Sequence, residues 1–294
     1  MSCAVTRPAL AVLGRGVVDP AEPVLRADDL GVQRGDGVFE TARVADGRIF
    51  KLGLHLRRLR RSADALELAA PTDDEWRALA AQAVEASGAG DALVKLVCTR
   101  GPVAGGPVTA FALALPVPAE AAHARENGID VVTLALGLDA TARRDARWLL
   151  GGAKTLSYAV NMASIREAER RGATDAIWLA NGGEVLEGPT STVCWVRGTT
   201  LHTPPATTGI LEGTTLAVVR ALAAPLAFAV TEGRRADLTG ADEVFLASSV
   251  RGVTPVLRID GEAVNGGTVG PHTARLRDAF EDAVAGRVTV PGVD

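Results

Sequence analysis

The sequence predicts two α+β domains in one chain of 294 residues. This length suffices for two ordinary domains, each with its own apolar core. Segments typical of strands and of amphipathic helices follow one another in both halves of the chain. A proline-containing stretch with shifted composition, PVPAEAAHARENG, separates the halves. We therefore expect a smaller N-terminal α/β domain over residues 1–117, an interdomain linker over 118–129 and a larger C-terminal domain over 130–294.

The first half begins with a β-hairpin. The segment GVFETARVADGRIFKL contains two strand-like runs joined by a turn at Ala45-Asp46-Gly47. The next segment, HLRRLRRSADALELA, has apolar residues at helical spacing. A second helix follows, with Thr72 as its N-cap and Gly88 at its end. Two further strands, DALVKLVCTRG and VTAFALALPV, complete this half.

The second half opens with the strand IDVVTLAL. A helix is expected directly after Lys154 and is expected to end near Gly172. DAIWLANGGEVLEG predicts a strand, a turn and a second strand, and STVCWVRGTTLHTP adds more strand. GILEGTTLAVVRALAA leads into a helix, DEVFLASSVRGVTPVLRIDGEAV predicts two strands around a loop, and TARLRDAFEDAVAG predicts a final amphipathic helix.

Charge and composition exclude several classes of protein. The net charge is −4 and the pI is near 5.7, so no basic surface for nucleic acid is indicated. The apolar stretch before Pro116 is too short to span a membrane. The first residues lack the pattern of a signal peptide, so the expected location is the cytoplasm.

Metal and hydrolase motifs are also missing from the sequence. Cys3, Cys98 and Cys194 are scattered and odd in number, which speaks against a disulfide framework or a zinc site. The four histidines show no metal-ligand spacing, so no metal is expected. No GxSxG motif occurs, so a serine hydrolase of that type is not indicated.

Lysine is scarce in this chain. Of 31 basic residues only Lys51, Lys95 and Lys154 are lysines, which leaves 28 arginines. A lysine can lose its proton and attack a carbonyl, which a guanidinium cannot do, although codon bias alone would also leave a few lysines. Lys154 follows two glycines within the apolar sequence LLGGAKTLSYA. It is either an ordinary solvated lysine at a helix start or a desolvated, reactive amine.

Other candidate residues could bind an anion or pair with a cationic ring. Glu187, in GGEVLEGPTS, is either an exposed strand residue or a buried acid that pairs with a protonated ring nitrogen. The sequence from Gly209 to Thr215 precedes a helix, so it is either an ordinary capped start or an anion site made of N–H groups and hydroxyls. Ser248 and Ser249 could add hydroxyls or form a turn. The arginines of HLRRLRR are mostly solvated, and one that faces inward would bind a phosphate.

Taken together, these segments resemble the class IV, or fold-type IV, pyridoxal-phosphate enzymes. The matching pieces occur in the order of that family and cover about residues 30–262: GDGVFETARV, HLRRL, KTLSYA, GEVLEGPTSTV, GILEGTT and FLASSVRGVTP. The resemblance implies the α+β fold of that family, with pyridoxal 5'-phosphate in the cleft between two α/β domains. It also implies a homodimer whose partner chain completes the site.

The resemblance also implies roles for individual residues. Lys154 matches the lysine that holds the cofactor covalently and then acts as the catalytic base. Glu187 matches the carboxylate at the pyridine nitrogen, and Tyr158 is expected near the ring hydroxyl. The residues that match the phosphate-binding positions are Arg58, Gly213, Thr214, Thr215 and Ser249.

Within the family, the motifs are most similar to 4-amino-4-deoxychorismate lyase, which implies release of 4-aminobenzoate and pyruvate in folate biosynthesis. A class IV aminotransferase that acts on D-amino acids or on branched-chain amino acids is the second hypothesis. A protein that binds pyridoxal phosphate without turnover is the third. An unrelated phosphate-binding α/β protein is the fourth. In each enzymatic case the substrate is a small molecule that bears an amine.

The sequence departs from its relatives at one substrate-binding position. After Cys98-Thr99-Arg100-Gly101 many relatives carry a second arginine and a histidine or tyrosine that hold a substrate carboxylate, whereas this chain has PVAGGPV. Carboxylate binding is therefore expected from another arginine. Arg43, Arg100 and Arg251 are the candidates, and each could equally be structural.

Overall fold

The computed structural model describes residues 7–102, 106–233 and 238–293. The chain divides into two compact units. The first unit extends to Pro118 and also includes the separate segment Ala153–Tyr158. The second unit consists of Ala119–Gly152 and Ala159–Val293.

The first unit is an antiparallel sheet with helices. Its strands are β1 (Ala9–Val12), β2 (Gly16–Val18), β3 (Gly37–Ala45), β4 (Arg48–Ile49), β5 (Ala92–Thr99) and β6 (Thr109–Leu115). Its helices are α1 (Leu30–Arg34), α2 (Leu52–Ala65) and α3 (Asp73–Ser87). The strand order is β2-β1-β6-β5-β3-β4, and every pair is antiparallel.

Local sequence explains these elements. Asp46 and Gly47 both have positive φ, at 49° and 71°, as a tight two-residue turn between β3 and β4 requires, so the predicted hairpin is confirmed. Thr72 and Glu75 form the capping box of α3, and Gly88 ends this helix with φ 62°.

The core of the first unit lies between the sheet and its two longer helices. α2 packs on β3, and α3 packs on β1 and β6. Leu56, Leu59 and Trp76 point into this core and are almost fully buried. Burying such side chains contributes about 1.5–3 kcal/mol each, and it fixes the helix α2 against the strand β3.

The segment around Lys154 belongs to this unit by its backbone. Thr155 pairs with Val38, and the Leu156 N–H donates to the carbonyl of Gly37. The helix predicted directly after Lys154 is therefore wrong in its start: it begins at Ala159. The backbone groups of residues 154–156 are engaged with β3, and this extended pairing excludes a helix there.

The second unit is a mixed sheet with helices. Its strands are β7 (Ile129–Ala135), β8 (Asp175–Leu179), β9 (Thr192–Arg197), β10 (Thr200–Thr203), β11 (Ala229–Glu232), β12 (Glu243–Ser248), β13 (Gly252–Ile259) and β14 (Glu262–Ala263). Its helices are α4 (Ala119–Asn127), α5 (Ala142–Asp145), α6 (Ala159–Arg170), α7 (Thr214–Ala223) and α8 (Pro271–Val284). Short 3₁₀ turns occupy Arg147–Leu149, Ala206–Thr208, Leu238–Gly240 and Asn265–Gly267.

The strand order of this sheet is β11-β10-β9-β12-β13-β7-β8, with β14 beside β13. β7 runs parallel to both β13 and β8, whereas β9 is antiparallel to β10 and β12. The core between sheet and helices includes Ile177, Val193, Trp195 and Leu246. Residues 118–129, predicted as a linker, contain α4 and the start of β7.

After β8 the chain turns back and pairs with it, where the sequence predicts a second strand: Leu179 bridges Val185, the Leu186 N–H donates to the Trp178 carbonyl, and the Trp178 N–H donates to the Glu187 carbonyl. This short pairing ends in a turn, in which the Gly188 N–H donates to the Ser191 carbonyl and Pro189 has no N–H to extend a ladder. This turn positions Glu187.

The structure also shows whether a described helix could span a membrane and where two of the three cysteines lie. None of the helices in the described ranges is long and apolar enough to cross a membrane. Cys98 and Cys194 are buried free thiols, and burial raises the pKa of each to about 12. Cys3 lies outside the described residues.

Candidate active site

Lys154 presents its amine to aromatic rings in the first unit. The Nζ atom lies 4.3 Å from the ring centroid of Phe39 and 5.3 Å from that of Tyr158. The two rings meet edge to face, with centroids 5.2 Å apart. The Lys154 N–H donates to Ser62 Oγ at 2.9 Å, and the Lys154 carbonyl accepts from the Phe39 N–H at 3.1 Å. A half-buried amine on a backbone held at both ends is suited to nucleophilic attack on a carbonyl.

A second lysine contacts the same ring. Lys95, on β5, places its Nζ 5.0 Å from the Phe39 centroid, and burial lowers its pKa. Two of the three lysines in the chain therefore meet at one phenylalanine. The scarcity of lysine was the available signal for Lys95 as well as for Lys154.

Arg58 is the arginine of its segment that faces inward. It is 5% exposed, and it donates from Nε to Glu40 Oε1 at 2.6 Å and from Nη2 to Glu40 Oε2 at 2.8 Å. His55 Nδ1 lies 2.8 Å from Glu40 Oε2. His55 and Arg58 are three residues apart on α2, so they share one helix face, on which both meet the acid on β3.

Glu40 is ionised in this cluster. Burial alone would raise the pKa of its carboxyl. The charge of Arg58, together with hydrogen bonds from Arg58 and His55, outweighs burial and holds that pKa well below its usual range. Glu40 and His55 are not among the residues predicted from the sequence. The signal was an acidic residue inside the apolar strand GVFETARV, where an unpaired charge would be costly.

Glu187, in the second unit, is a buried acid and not an exposed strand residue. Its Oε1 accepts from Arg143 Nη1 at 2.6 Å, and its Oε2 accepts from the Leu211 N–H at 3.0 Å. The two donors fix the plane of the carboxylate. Arg143 is a residue that sequence reasoning missed, since nothing in ARRDAR distinguishes it from its neighbours.

Glycines allow Arg143 to reach this position. A Cβ atom at Gly151 would lie 2.4 Å from the carbonyl oxygen of Arg143, and a Cβ atom at Gly209 would lie 2.8 Å from the Arg143 Cβ. Neither distance is tolerable, so α5 can pack here only against glycine. Gly152, two residues before Lys154, has φ 77°, a backbone conformation that favours glycine.

The start of α7 forms the other polar group of the second unit. Gly213 is the N-cap and provides no side-chain hydrogen bond. Thr214 and Thr215 are buried, and Thr214 Oγ1 lies 3.4 Å from Ser249 Oγ. A Cβ atom at Gly213 would lie 2.4 Å from Thr192 Oγ1. Hydroxyls that converge at the positive end of a helix make a suitable site for a phosphate.

The predicted carboxylate-binding arginines are placed as follows. Arg100 donates to both oxygens of Asp36, at 2.7 and 3.1 Å, and also to backbone carbonyls. Arg251 pairs with Asp175, which is fully buried. Arg43 is half-buried on β3. Arg100 and Arg251 are therefore already engaged with carboxylates, and residues 103–105 of the loop after Arg100 lie outside the described residues.

The sequence-predicted residues thus form one group in each unit. In the first unit Lys154 and Tyr158 lie together, and Ser62 connects Lys154 to the helix that carries Arg58. In the second unit Thr214 and Ser249 lie together, and Glu187 bonds to the loop that leads into α7.

Comparisons with known proteins give a consistent result. The family model for amino-transferase class IV matches residues 37–259. A bifunctional aminodeoxychorismate lyase / D-amino acid transaminase of Mycobacterium tuberculosis is 39% identical over 277 residues, which is 90% of this chain and 95% of that protein. A D-alanine aminotransferase of Listeria monocytogenes is 31% identical and covers 91% of this chain and 93% of its own length.

Solved structures are similar over the same extent. The PLP-bound form of a hypothetical aminotransferase from Mycobacterium tuberculosis has a TM-score of 0.89 and 35% sequence identity. The match covers 96% of this chain and 100% of that one.

Proposed function

This chain belongs to the amino-transferase class IV family of fold-type IV enzymes, and on that premise we propose that it is a 4-amino-4-deoxychorismate lyase. Enzymes of the family use pyridoxal 5'-phosphate. The observation that carries the proposal is the 39% identity, over 90% of the chain, to a relative named for this lyase activity and for a D-amino acid transaminase activity.

The residues present fit the cofactor. We assign its aldehyde to Lys154 and its phosphate to Arg58, to the start of α7 (Gly213, Thr214, Thr215) and to Ser249. The support is chemical: a held amine, a buried guanidinium, and hydroxyls at a helix N-terminus where a Cβ at position 213 would not fit. We assign the pyridine nitrogen to Glu187, whose carboxylate is held in place by Arg143 and a backbone N–H.

The residues then divide the work of the reaction. The bound cofactor supplies a cationic ring that withdraws electrons from the substrate carbon. Glu187 holds a proton on the ring nitrogen, and Lys154 removes the proton from the carbon that bears the substrate amine. Loss of pyruvate leaves an aromatic ring, 4-aminobenzoate, and no amino acceptor is consumed.

The second candidate is a class IV aminotransferase, and the D-alanine aminotransferase match favours it. The same residues would serve, because both reactions begin with removal of the proton from the carbon that bears the substrate amine. The difference is stoichiometric: a transaminase needs a keto acid to complete its cycle. A protein that binds pyridoxal phosphate without turnover is the third candidate, and the placement of the Lys154 amine argues against it.

The deciding experiment incubates the holoenzyme with aminodeoxychorismate and no keto acid. We expect equal amounts of 4-aminobenzoate and pyruvate. Absence of the aromatic product, together with keto-acid-dependent consumption of D-alanine or a branched-chain amino acid, would establish the aminotransferase instead. Borohydride reduction and peptide mapping should place a pyridoxyl group on Lys154, and a label on any other residue would refute the assignment of the site.

We also propose a homodimer. Trp148, Val160 and Met162, all in the second unit, are 81%, 60% and 43% exposed. A second copy of the chain would remove such apolar side chains from water. Light scattering of the purified protein should give twice the mass of the 30.3 kDa chain. The cytoplasmic location and the place in folate synthesis stay predictions.

A further inference from the structure

Glu40 has no role in the function proposed above, yet it is the most deeply buried acid of the first unit's candidate site. Glu40 is 0%, His55 3% and Arg58 5% exposed. Placing a charged cluster in a core is costly, and apolar residues of similar size often stabilise a fold as well or better. Stability of the fold alone therefore gives no sufficient reason for this carboxylate.

The geometry of the pair indicates what Glu40 does. Its two oxygens take the Nε and Nη2 edge of the Arg58 guanidinium, at 2.6 and 2.8 Å. Two parallel hydrogen bonds of this kind fix the plane of a guanidinium and stop its rotation. Because His55 also bonds to Oε2, the carboxylate is itself fixed from the helix α2.

The same helix connects Arg58 to the reactive lysine. Ser62 Oγ donates to the Arg58 carbonyl at 2.9 Å and accepts the Lys154 N–H at 2.9 Å. One turn of α2 thus carries both the guanidinium and the contact that holds the Lys154 backbone. On β3, Phe39 contacts the Lys154 amine while its neighbour Glu40 holds Arg58.

We propose that Glu40 is a positioning residue that holds the Arg58 guanidinium in the orientation in which it binds the phosphate of the cofactor. This inference rests on the proposed function, since it takes Arg58 as a phosphate ligand. Two effects of the carboxylate oppose each other. Its negative charge repels a phosphate, and its hydrogen bonds order the guanidinium in advance. The proposal states that ordering is the larger effect.

The test is the substitution Glu40→Gln, which keeps the size of the side chain but removes its charge and one strong acceptor. Apoprotein is titrated with pyridoxal 5'-phosphate and, separately, with pyridoxal, which lacks the phosphate. We expect binding of the phosphorylated ligand to weaken about tenfold, the lower end of the loss seen when a residue that orients a metal-binding side chain is removed. Binding of pyridoxal should stay within about twofold, since it makes no use of Arg58.

The chain offers a matched control. Asp36 holds Arg100 with the same pair of hydrogen bonds, in the same unit. Asp36→Asn should leave the ratio of the two affinities unchanged. Glu40→Asp keeps the charge and shortens the reach, and it should lower the ratio about threefold, which also provides the answer if Glu40→Gln does not fold.

Three results separate the outcomes. If Glu40→Gln binds the phosphorylated ligand as tightly as wild type or more tightly, the carboxylate is only a counter-charge and the proposal fails. If both ligands weaken equally, its role is structural and the proposal also fails. If the wild-type protein does not prefer the phosphorylated ligand, or if Arg58→Gln leaves that preference intact, the assignment of Arg58 in the proposed function fails first.

Discussion

Each unit of the molecule contains a buried glutamate paired with an arginine, and the two pairs are built in opposite ways. Glu40 is fully buried between β3 and α2 and accepts hydrogen bonds from two nitrogens of Arg58. Glu187 accepts one bond from Arg143 and one from a backbone N–H. The Arg143 side chain is 20% exposed, against 6% for Arg58.

The difference shows which partner each pair serves. In the first unit the acid takes two donor nitrogens of the arginine, so the acid fixes the arginine. In the second unit the acid takes only one nitrogen of the arginine, and its other oxygen accepts a backbone N–H, so the arginine and the backbone together fix the acid. An ordered guanidinium suits the binding of a phosphate, and an ordered carboxylate suits a ring nitrogen. Under the proposed function, the same pair of residue types would support phosphate binding in one unit and proton placement in the other.

The largest expected effect concerns Lys154, whose amine the proposed function takes as both nucleophile and base. Lys154→Ala should reduce turnover by about 10³-fold or more, because nucleophile and base are lost together. Absorbance of the covalently held cofactor should disappear with it. Lys51→Arg is the control and should keep both properties. Turnover that persists in Lys154→Ala would refute the proposed site.

The next effect separates the two pairs. Glu187→Gln should lower kcat by about 10²-fold, since a neutral amide cannot hold a proton on the ring nitrogen through ionic pairing. Its affinity for the cofactor should change only a few-fold. Glu40→Gln should show the reverse, with weaker cofactor binding and a nearly unchanged kcat at saturating cofactor. Equal losses of kcat and affinity in both variants would contradict the division of roles.

Stability should depend on pH through Glu40. Its pKa is lowered in the folded protein from the ordinary value of 4.5, so it contributes stability above pH 4.5 and loses that contribution as the pH falls toward its folded-state pKa. Glu40→Gln should cost about 3 kcal/mol at pH 7, the order expected when one partner of a buried pair is removed. Denaturant unfolding should show this difference shrinking below pH 4.5. A difference that is constant with pH would contradict the ionised pair.

Several elements of the fold could be predicted from the sequence alone, because there the local sequence preference agrees with the tertiary structure. The hairpin at Asp46-Gly47 and the N-cap at Thr72 follow from neighbouring residues, and the structure confirms both. The helix after Lys154 was wrong in its start, because a pairing with β3, more than one hundred residues earlier, overrides local helix propensity.

The partners of the candidate residues could not be predicted in the same way. Arg143 and Glu187 are 44 positions apart, and only the close packing at Gly151 and Gly209 brings them together. Such contacts depend on the sheet as a whole, which no local pattern encodes. The resemblance to the family gave the residue types at the site, and the structure adds what holds two of them in place.

The smallest expected effect concerns Arg143, the arginine that pairs with Glu187 in the second unit. Arg143→Gln removes one of the two donors of Glu187 and leaves the Leu211 N–H in place. Because one donor remains, kcat should fall only about tenfold, and the absorbance of the bound cofactor should become more sensitive to pH. Arg144→Gln is the matched control: this neighbour is exposed and pairs only locally, with Asp145, so removing it should change neither quantity. If Arg143→Gln resembles Arg144→Gln, the backbone N–H alone holds Glu187, and the contrast between the two pairs is smaller than their geometry indicates.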